Sequence, residues 1–377
     1  MLRIKSSFLS GERLFLILPL ALSIFGLLMI FEASSVSALR DFGDKFYYLK
    51  YQAIWLVFSL GAFFFFSFLD FRFLRRIALP FFMVSLFFLL IVLLPGVGKT
   101  VYGGRRWIWW GAIRFQPAEL AKLSLIIYLS TLLEKKREFL PLVVIMGLVL
   151  GLLLLEPDLG TAIIIIGTAF SIYFVAGAPW WQIGGIVLLS FILAPILILV
   201  SPYRRERFFG FLKSAFSAQG APYHVRQILL ALGAGGVLGR GLGQSRQKFL
   251  FLPEVTTDSI FAIIAEEFGF LGAAGVILLF MILMLKGLKL AILSKDPFAQ
   301  KLVVGVTACL GLQTIINLSS IVALIPLTGV PLPFISYGGS SLLVTLSGMG
   351  IVYNCSRTER LSKLIGSQSQ AFSGRRT

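Results

Sequence analysis

The chain has 377 residues, of which 58% are hydrophobic, and a formal net charge of +17 at pH 7. Its mean hydropathy is +0.92, whereas a soluble domain averages about 45–50% apolar residues, so the composition excludes an ordinary soluble protein. Two cysteines exclude a disulfide framework, and the absence of a basic stripe with interleaved aromatics argues against nucleic acid as a partner.

Long apolar runs predict an all-α, polytopic membrane protein with about ten transmembrane helices. The predicted spans are 14–34, 52–69, 77–95, 117–133, 139–155, 160–176, 183–201, 258–285, 302–325 and 341–355. Basic residues gather at cytoplasmic helix ends, and those that precede the first span place the N-terminus in the cytoplasm. An even number of spans then places the C-terminus there as well.

The same pattern divides the chain into three parts. We predict a cytoplasmic N-terminal tail at 1–13, a transmembrane domain at 14–357, and a polar, disordered cytoplasmic tail at 358–377. One long outer loop, 202–257, joins the seventh and eighth spans. Many cations fall on the outer side, where they suit a phosphate-bearing substrate or the head groups of anionic lipids. Charge alone does not choose between these two.

The first candidate site is the loop KTVYGGRRWIWWGAIRFQPAE, Lys99–Glu119. Its paired glycines permit a tight turn, and Arg105 and Arg106 could pair with phosphate oxygens, while the tryptophans alone suit an interfacial belt. Glu119 and Lys122 lie three residues apart on one face of the next helix. They predict either a simple ion pair or a pair at the mouth of a polar cavity, which their membrane depth favours.

Two further motifs follow before the long outer loop ends. EPDLGT, Glu156–Thr161, predicts a turn in which Asp158 caps the next helix, and we favour a structural role for it. Tyr223–Leu232 predicts a short amphipathic helix. It contains His224, the single histidine, so neither a histidine-activated nucleophile nor a His/Cys metal cluster finds support.

The chain is organised around LPEVTTDSIFAIIAEEFGF, Leu252–Phe270, which places Asp258 where a polar segment meets an apolar helix. Thr257 is the predicted N-cap, with Asp258 in the first helical turn, where free N–H groups favour an anion. Asp258 either caps the helix or carries chemistry. Glu266 and Glu267 lie within the span, where carboxylates usually face the protein interior.

The last motif is IPLTGVPLPFISYGGSSL, Ile325–Leu342, which has three prolines and three glycines between two spans. It predicts non-helical backbone, which is tolerated at membrane depth only when it is buried or lines a wet cavity. We expect it to line the same outer cavity as Asp258. The sequence has neither a Walker A motif nor an Asp-x-Asp pair, so a soluble nucleotide-sugar donor is not indicated.

Taken together, five motifs resemble one family over about 14–357. They are GGRRWI with RFQPAELAK, EPDLGT, GLGQSRQKFLFLPEVTTDSIFAIIAEEFGFLG and PLTGVPLPFISYGGSS, in this order. The family is SEDS (shape, elongation, division and sporulation), and the chain is more similar to its FtsW members than to its RodA members. The resemblance implies a ten-helix polymerase of lipid II in the bacterial plasma membrane, with an active site on the outer face. It would build septal glycan strands beside a class B penicillin-binding protein and other division proteins.

The resemblance also assigns roles to particular residues. Asp258 matches the essential acid of the family, and Glu119 and Lys122 match its polar pair, whereas Thr256 and Ser259 stand where many members have His and Phe. Because pyrophosphate is a good leaving group, one base is enough, so our hypothesis is that Asp258 deprotonates the acceptor hydroxyl. The proposed substrate-binding residues are Glu119, Lys122, Arg105, Arg106, Arg246, Lys248, Ser336 and Gly338. A divalent cation, Mg²⁺ or Mn²⁺, could be held by Asp258 or Glu119.

Three other functions remain open from the sequence. A transporter that flips lipid-linked precursors would also need polar groups in a bundle, although no inverted repeat is evident. A non-catalytic division scaffold gives no reason for Asp258, Glu119 and Lys122 to share one membrane depth. The third alternative is a RodA-like polymerase of side-wall elongation.

Overall fold

The computed structural model describes residues 11–101, 104–110, 113–134, 139–200, 202–216, 222–249 and 256–373, which are mostly helical. These ranges contain α1 Gly11–Phe42, α2 Tyr47–Phe68, α3 Phe71–Leu93, α4 Pro117–Leu132, α5 Phe139–Leu155, α6 Leu159–Val175, α7 Trp180–Val200, α8 Pro202–Phe216, α9 Tyr223–Gly235, α10 Ile260–Leu293, α11 Pro297–Ile321 and α12 Gly339–Ser373. They also contain strands β1 Gly98–Val101, β2 Gly104–Trp110 and β3 Ile113–Phe115.

Several of these helices have the length and apolar composition of membrane spans. Among the described residues, α1, α2, α3, α10 and α11 are long and apolar enough to cross a bilayer, and the shorter apolar helices lie in α5, α6 and α7. Each of the ten predicted spans overlaps one helix. The number of helices that cross the membrane stays a prediction.

The helix α11 lies at the centre of the bundle and contacts α4, α6, α10 and α12. The helix α11 approaches α4 and α6 closely because a small residue on it faces large residues on them. A Cβ on Gly305 would lie 2.6 Å from the Cγ2 atom of Ile126 and 2.9 Å from the Cδ1 atom of Ile172. Such small-residue contacts are the usual means by which helices pack within lipid. The central position of α11 matters because its polar side chains reach the candidate site.

Aspartate caps explain where several helices begin. Asp70 accepts a hydrogen bond from the backbone N–H of Arg72 at 2.9 Å, and Asp296 accepts from Phe298 and Ala299 at 2.8 and 3.1 Å. Each carboxylate satisfies N–H groups that a helix start leaves unpaired. For this reason α3 and α11 begin earlier than the spans predicted at 77–95 and 302–325.

The expectation of an all-α fold is wrong for the segment 98–115. Its three strands form an antiparallel sheet in the order β1-β2-β3, because the aromatic and β-branched residues around Trp107 favour extended backbone. The sheet is fixed on α3, where the guanidinium of Arg105 donates to the carbonyl of Leu93 at 3.2 Å. The paired glycines had suggested a turn, and the strand pattern that follows them was missed.

The start of α10 also differs from the prediction. The N-cap is Ser259, which makes no side-chain capping hydrogen bond, so the prediction of Thr257 as N-cap with Asp258 in the first turn is wrong. The helix is also interrupted at Gly269, whose φ of 68° is not helical. There the backbone N–H groups of Phe270 and Leu271 donate to carbonyls in the segment after α9, at 2.9 and 3.2 Å.

The two glutamates within α10 are buried, as predicted. Glu266 accepts a hydrogen bond from the hydroxyl of Ser245 at 2.5 Å and another from the backbone N–H of Arg246 at 3.1 Å. The glycine-rich segment that follows α9 is therefore bound to α10 through both backbone and side chains. The predicted amphipathic helix is confirmed as α9, whose Val225 and Ile228 are buried on the side that packs against α10.

The last predicted motif is non-helical over most of its length and helical in its final residues. The segment 325–338 is non-helical, which confirms the effect expected of its prolines. The helix α12 then begins at Gly339 and continues to Ser373, past the predicted end at 355 and into the range 358–377. The division of the chain into two tails and one central domain stays a prediction.

Candidate active site

The turn at 256–259, here called the Asp258 turn, is held by the non-helical segment that precedes α12. The backbone N–H of Tyr337 donates to the carbonyl of Thr256 at 2.8 Å. The hydroxyl of Ser336 donates to the carbonyl of Thr257 at 2.5 Å and accepts from the N–H of Leu332 at 2.8 Å. The predicted contact between the Pro/Gly-rich segment and the neighbourhood of Asp258 is thus present.

A second element, α11, binds the backbone of Asp258. The side-chain amide of Asn317 donates to the carbonyl of Asp258 at 3.0 Å and to the carbonyl of Val330 at 2.8 Å. On its other side the carboxylate of Asp258 lies close to Gly329, where an added Cβ would be 3.5 Å from its Oδ2 atom. Gly329 has a φ of 75°, a conformation that glycine adopts without strain. Asn317 therefore fixes the backbone of the acid, and Gly329 leaves room beside its carboxylate.

The third element that holds the turn is α9. The Nε2 atom of His224 lies 2.8 Å from the hydroxyl oxygen of Ser259, which is buried. Burial and, to a smaller extent, the nearby Arg207 together lower the pKa of His224 to about 4. The imidazole is therefore neutral at physiological pH. Every residue of the Asp258 turn thus has a described hydrogen bond to another part of the fold.

The predicted pair Glu119 and Lys122 forms a buried ion pair at the start of α4. The Nζ atom of Lys122 lies 2.9 Å from the Oε1 atom of Glu119, and the two residues are 4% and 2% exposed. Lys122 also donates to the side-chain oxygen of Gln313 in α11 at 2.8 Å. A buried ion pair is stable only with such additional hydrogen bonds, because removing both charges from water is costly.

The ion pair and the Asp258 turn are connected through α11. Gln313 and Asn317 are four residues apart and share one helix face. The amide of Gln313 donates to the carbonyl of Pro331 at 3.0 Å, and Asn317 binds the carbonyls of Val330 and Asp258. Two amides on consecutive turns of α11 therefore hold the backbone at 330–331 between the buried ion pair and the acid.

A cavity lies next to this ion pair. It has an empty volume of about 390 Å³, part of it open to solvent, between α4, α11 and α12. Lys122 and Gln313 line it together with mostly apolar side chains, among them Ile126, Cys309 and Val344. No group of three or more His, Cys, Asp or Glu side chains in the described ranges is arranged to hold a metal ion.

A second acidic turn lies at 156–158, between α5 and α6. Asp158 accepts hydrogen bonds from the N–H and the hydroxyl of Thr161 at 3.1 and 2.9 Å, which confirms it as the predicted cap of α6. The side-chain amide of Gln116 donates to it at 3.1 Å. The guanidinium of Arg106 binds the carbonyls of Glu156 and Pro157 at 2.8 and 2.6 Å, so β2 is joined to this turn.

The carboxylate of Glu156 has an unusual environment. The residue is 0% exposed, and neither carboxylate oxygen has a hydrogen-bond partner among the described residues. Burial and, to a smaller extent, the charge of Asp158 raise the pKa of Glu156, Arg106 opposes them, and the net value is about 9. Glu156 is therefore a neutral acid at physiological pH.

The structure places the other predicted substrate-binding residues in different settings. Arg105 and Arg246 are exposed on the surface. The ammonium of Lys248 is buried: it donates to the carbonyl of Gly243 at 2.7 Å and lies 3.3 Å from Glu32 and 3.7 Å from Glu267. These contacts account for Lys248 without a substrate, so its binding role stays a prediction.

Ser336 and Gly338 form hydrogen bonds to other parts of the protein. The hydroxyl of Ser336 holds the Asp258 turn, while the backbone N–H of Gly338 donates to the side chain of Gln52 at 3.2 Å. Both contacts position the backbone around the site. Whether either residue also contacts a substrate stays a prediction.

Several residues of the site were not predicted from the sequence. Gln313 and Asn317 had a usable signal, since two amides four residues apart in an apolar helix indicate a polar function within the membrane. Gln116 directly precedes Pro117, the first residue of α4, and a position at a helix start favours a polar contact such as the one with Asp158. The contact between His224 and Ser259 had no local signal, because 35 residues separate the two.

Comparison with known proteins now identifies the family. The model of the FtsW/RodA/SpoVE family, described as "Cell cycle protein", matches residues 12–361. The chain is 38% identical over 349 residues to "Probable peptidoglycan glycosyltransferase FtsW" of Geobacter metallireducens, covering 90% of this chain and 93% of that protein. It is 37% identical over 361 residues to "Stage V sporulation protein E" of Bacillus subtilis, covering 93% and 98%.

Solved structures agree with this result. A structure described as "Structural coordination of polymerization and crosslinking by a peptidoglycan synthase complex" matches with a TM-score of 0.75 at 30% identity, covering 92% of this chain and 97% of that chain. The rod shape determining protein RodA of Thermus thermophilus matches with a TM-score of 0.68 at 30% identity, covering 91% and 95%. The chain belongs to the FtsW/RodA/SpoVE family and is a multi-pass membrane protein.

Proposed function

We propose that this chain polymerises lipid II into the glycan strands of peptidoglycan during cell division, with Asp258 as the catalytic base. The glycosyltransferase activity and the division role rest on family membership and on relatives named for FtsW that match over more than nine-tenths of their length. The observation that supports the site is the Asp258 turn, whose four residues are bound by α9, α11 and the segment before α12.

In the proposed reaction, a sugar hydroxyl attacks the anomeric carbon of a second, lipid-linked sugar. A new C–O bond forms, the bond from that carbon to the pyrophosphate oxygen breaks, and the proton of the hydroxyl moves to the carboxylate of Asp258. Hydrolysis of an ordinary glycoside needs a second carboxyl group to protonate a poor leaving group. Pyrophosphate leaves as a stable anion, so a base and nearby cations are sufficient.

The cations of the site would stabilise the leaving pyrophosphate. Lys122 is fixed by Glu119 and Gln313, so its charge is positioned before substrate arrives, which is how a preorganised site lowers a barrier. The exposed Arg105 and Arg246 can reach phosphate oxygens without first leaving a buried contact. Arg106 is half-buried and bound to two carbonyls, so it would act through charge and through the position of β2.

A divalent cation fits this site as an ion that arrives with the pyrophosphate. Mg²⁺ commonly binds through one or two carboxylates together with substrate phosphates. The Oε2 atom of Glu119 is buried and has no hydrogen-bond partner among the described residues, so Glu119 or Asp258 would supply the protein oxygen. A bound Mg²⁺ or Mn²⁺ would neutralise pyrophosphate charge.

The proposed location is the bacterial plasma membrane, the inner membrane of a two-membrane cell. In this arrangement α1–α7 and α10–α12 cross the bilayer, both termini lie in the cytoplasm, and α8 and α9 belong to the long outer loop. Five helices that meet the length and hydropathy of a span support this topology. It places the Asp258 turn at the outer face, where a lipid-linked sugar is available.

The proposed partner is a class B penicillin-binding protein that cross-links the strands. The support comes from the similar solved structure, which is described as a complex that coordinates polymerization and crosslinking. Other division proteins would recruit the pair to the septum. Depletion in cells tests the division role: we expect undivided filaments, whereas rounded cells would indicate side-wall elongation as the function.

The decisive test combines purified protein with lipid II, in the presence and absence of a candidate class B transpeptidase, and measures polymer length on a gel. We expect glycan strands, with longer or faster products when the partner is present. If lipid II crosses liposome membranes without any glycan, the flippase alternative is correct. If cells divide normally when Asp258, Glu119 and Lys122 are all alanine, while changes at the protein surface abolish division, the scaffold alternative is correct.

A further inference from the structure

A cluster of aromatic side chains lies where α1 passes into α2. We call it the aromatic platform, and it consists of Phe42, Tyr47, Tyr48, Tyr51 and Tyr337. Phe42 stacks on Tyr47 with ring centroids 3.8 Å apart, Tyr47 meets Tyr51 at 4.7 Å, and Tyr48 meets Tyr337 edge-on at 5.1 Å. The first four residues come from one stretch of 42–51, and the fifth comes from the segment that precedes α12.

The hydroxyl groups of the platform are close to one another. Burial raises the pKa of the Tyr337 phenol, the guanidinium of Arg114 opposes this, the phenols of Tyr47, Tyr48 and Tyr51 add to the rise, and the net value is about 12. Arg114 and the three other phenols therefore lie within electrostatic range of Tyr337. Arg114 is exposed and also lies over the ring of Trp109, with its guanidinium 4.6 Å from the ring centroid.

The platform is directly connected to the Asp258 turn. The backbone N–H of Tyr337 donates to the carbonyl of Thr256 at 2.8 Å, two residues before the acid. The next residue, Gly338, donates to the side chain of Gln52 in α2 at 3.2 Å. The segment that carries Tyr337 is therefore bound both to the Asp258 turn and to α2.

The exposure of these residues argues against a purely structural role. The four tyrosines are half-buried, and Phe42 is exposed, so one side of the cluster faces outward. Beside it lies an exposed ion pair, in which the ammonium of Lys50 is 2.7 Å from the carboxylate of Asp44. Charged groups of this kind indicate water at this face, whereas an aromatic membrane belt anchors rings among lipid head groups.

We propose that the aromatic platform binds the sugar rings of the growing glycan strand as it leaves the Asp258 turn. This inference rests on the proposed function. A pyranose ring has an apolar face that stacks on an aromatic ring, and its hydroxyl and acetamido groups accept and donate hydrogen bonds at the ring edge. Tyrosine offers both an apolar face and a hydroxyl group, and Arg114 adds planar donors.

The position of the platform favours the strand over a single incoming unit. Its rings form a continuous series from Tyr337, through Tyr48 and Tyr47, to Phe42. The series begins at Tyr337, whose backbone N–H is bound to the Asp258 turn. Several adjacent rings would hold successive sugars, and many weak contacts along a strand retain it between additions.

The first experiment measures sugar binding without any turnover. The full chain in lipid nanodiscs is titrated with a soluble tetramer of N-acetylglucosamine, and binding is followed by calorimetry or saturation-transfer NMR. We expect Tyr47→Ala and Tyr51→Ala each to weaken binding by about tenfold, close to the loss of one ring contact. Tyr51→Phe keeps the ring and should lose less. The control is Phe65→Ala, an exposed aromatic on the same helix (61% exposed) that lies outside the platform.

The second experiment measures strand length with lipid II. We expect the two alanine variants to release shorter strands than wild type, while Phe65→Ala makes strands of normal length. Equal tetramer binding by all variants, or normal strand length in the platform variants, would overturn the proposal. If wild-type protein makes no polymer although the platform binds the tetramer, then the proposed function is wrong and the sugar site is retained.

Discussion

Two turns at helix starts each carry an aspartate, but the two aspartates have different environments. In the turn at 156–158, the carboxylate of Asp158 accepts three hydrogen bonds, from Thr161 twice and from Gln116. In the Asp258 turn the fold binds the backbone carbonyls, while the carboxylate lies beside the backbone of Gly329. The comparison shows that the position of an aspartate before a helix does not identify its role. The capping role of Asp158 is shown by its hydrogen bonds to Thr161, whereas the candidate role of Asp258 rests on family membership and on the contacts that fix its backbone.

The first way to test this comparison is to remove Lys122, the cation whose partner Gln313 also binds the segment next to the Asp258 turn. Lys122→Met leaves Glu119 as a buried, uncompensated charge, which costs about 3–5 kcal/mol, so we expect a large fall in thermal stability and in polymerisation. The double variant Glu119→Gln with Lys122→Met should recover stability but not activity. The matched control is Lys50→Met in the exposed pair with Asp44, which should change stability by less than about 1 kcal/mol. Recovery of activity in the double variant would contradict a role in catalysis.

The second test loosens the Asp258 turn and leaves its carboxylate in place. Asn317→Ala leaves the carbonyls of Asp258 and Val330 without their described donor, and an unsatisfied buried group costs about 1–3 kcal/mol. We expect the rate per folded molecule to fall as well, because the acid is no longer fixed. Thr314→Ala is the control, since its hydroxyl bonds to Leu310 in its own helix. Equal rates per folded molecule in both variants would argue against positioning by Asn317.

The third test removes the capping acid. Asp158→Ala should lower the free energy of unfolding by about 0.5–2 kcal/mol, the usual loss for an N-cap. The rate of glycan formation per folded molecule should stay near that of wild type, because the carboxylate serves the start of α6. Thermal unfolding and initial rates on the same preparation check this expectation. A rate loss far beyond the loss of folded protein would make Asp158 part of the chemistry.

The smallest effect at mildly acidic pH is expected for Glu156→Gln. The pKa of Glu156 is raised from 4.5 to about 9, so the folded state binds more protons than the unfolded state between these values. The stability from this group is therefore complete below about pH 4.5 and is lost as the pH rises towards about 9. A neutral glutamine resembles the protonated acid, so thermal unfolding near pH 4.5 should change little, whereas at neutral pH the variant should unfold at a higher temperature than wild type. The decline of wild-type stability at alkaline pH should become shallower in the variant, and an identical decline would contradict the assignment.

Much of the architecture was predictable from local sequence. The apolar runs located the helices, prolines and glycines at 325–338 indicated non-helical backbone, and the charge pattern singled out Asp258, Glu119 and Lys122. The strands at 98–115 were missed, since an alternation of aromatic and basic residues also suits an interfacial loop. Each of these signals lies within one short stretch of sequence.

The partners of the Asp258 turn were not predictable in the same way. Asn317 is 59 residues from Asp258 along the chain, and Ser336 is 79 residues from Thr257. Contacts of this range depend on how α11 packs against α10, which no local pattern describes. For the same reason the sequence suggested a substrate role for Lys248, whereas the fold places it among Glu32, Glu267 and the carbonyl of Gly243.

The most direct measurement replaces one carboxylate oxygen of Asp258 with an amide nitrogen. Purified Asp258→Asn protein is given lipid II, and bound substrate and polymer are quantified in the same sample. We expect substrate to bind, folding to be intact, and the rate of polymer formation to fall by about 10²–10⁴, the usual contribution of a general base. Polymer formed at the wild-type rate by the asparagine variant would show that Asp258 is not the base.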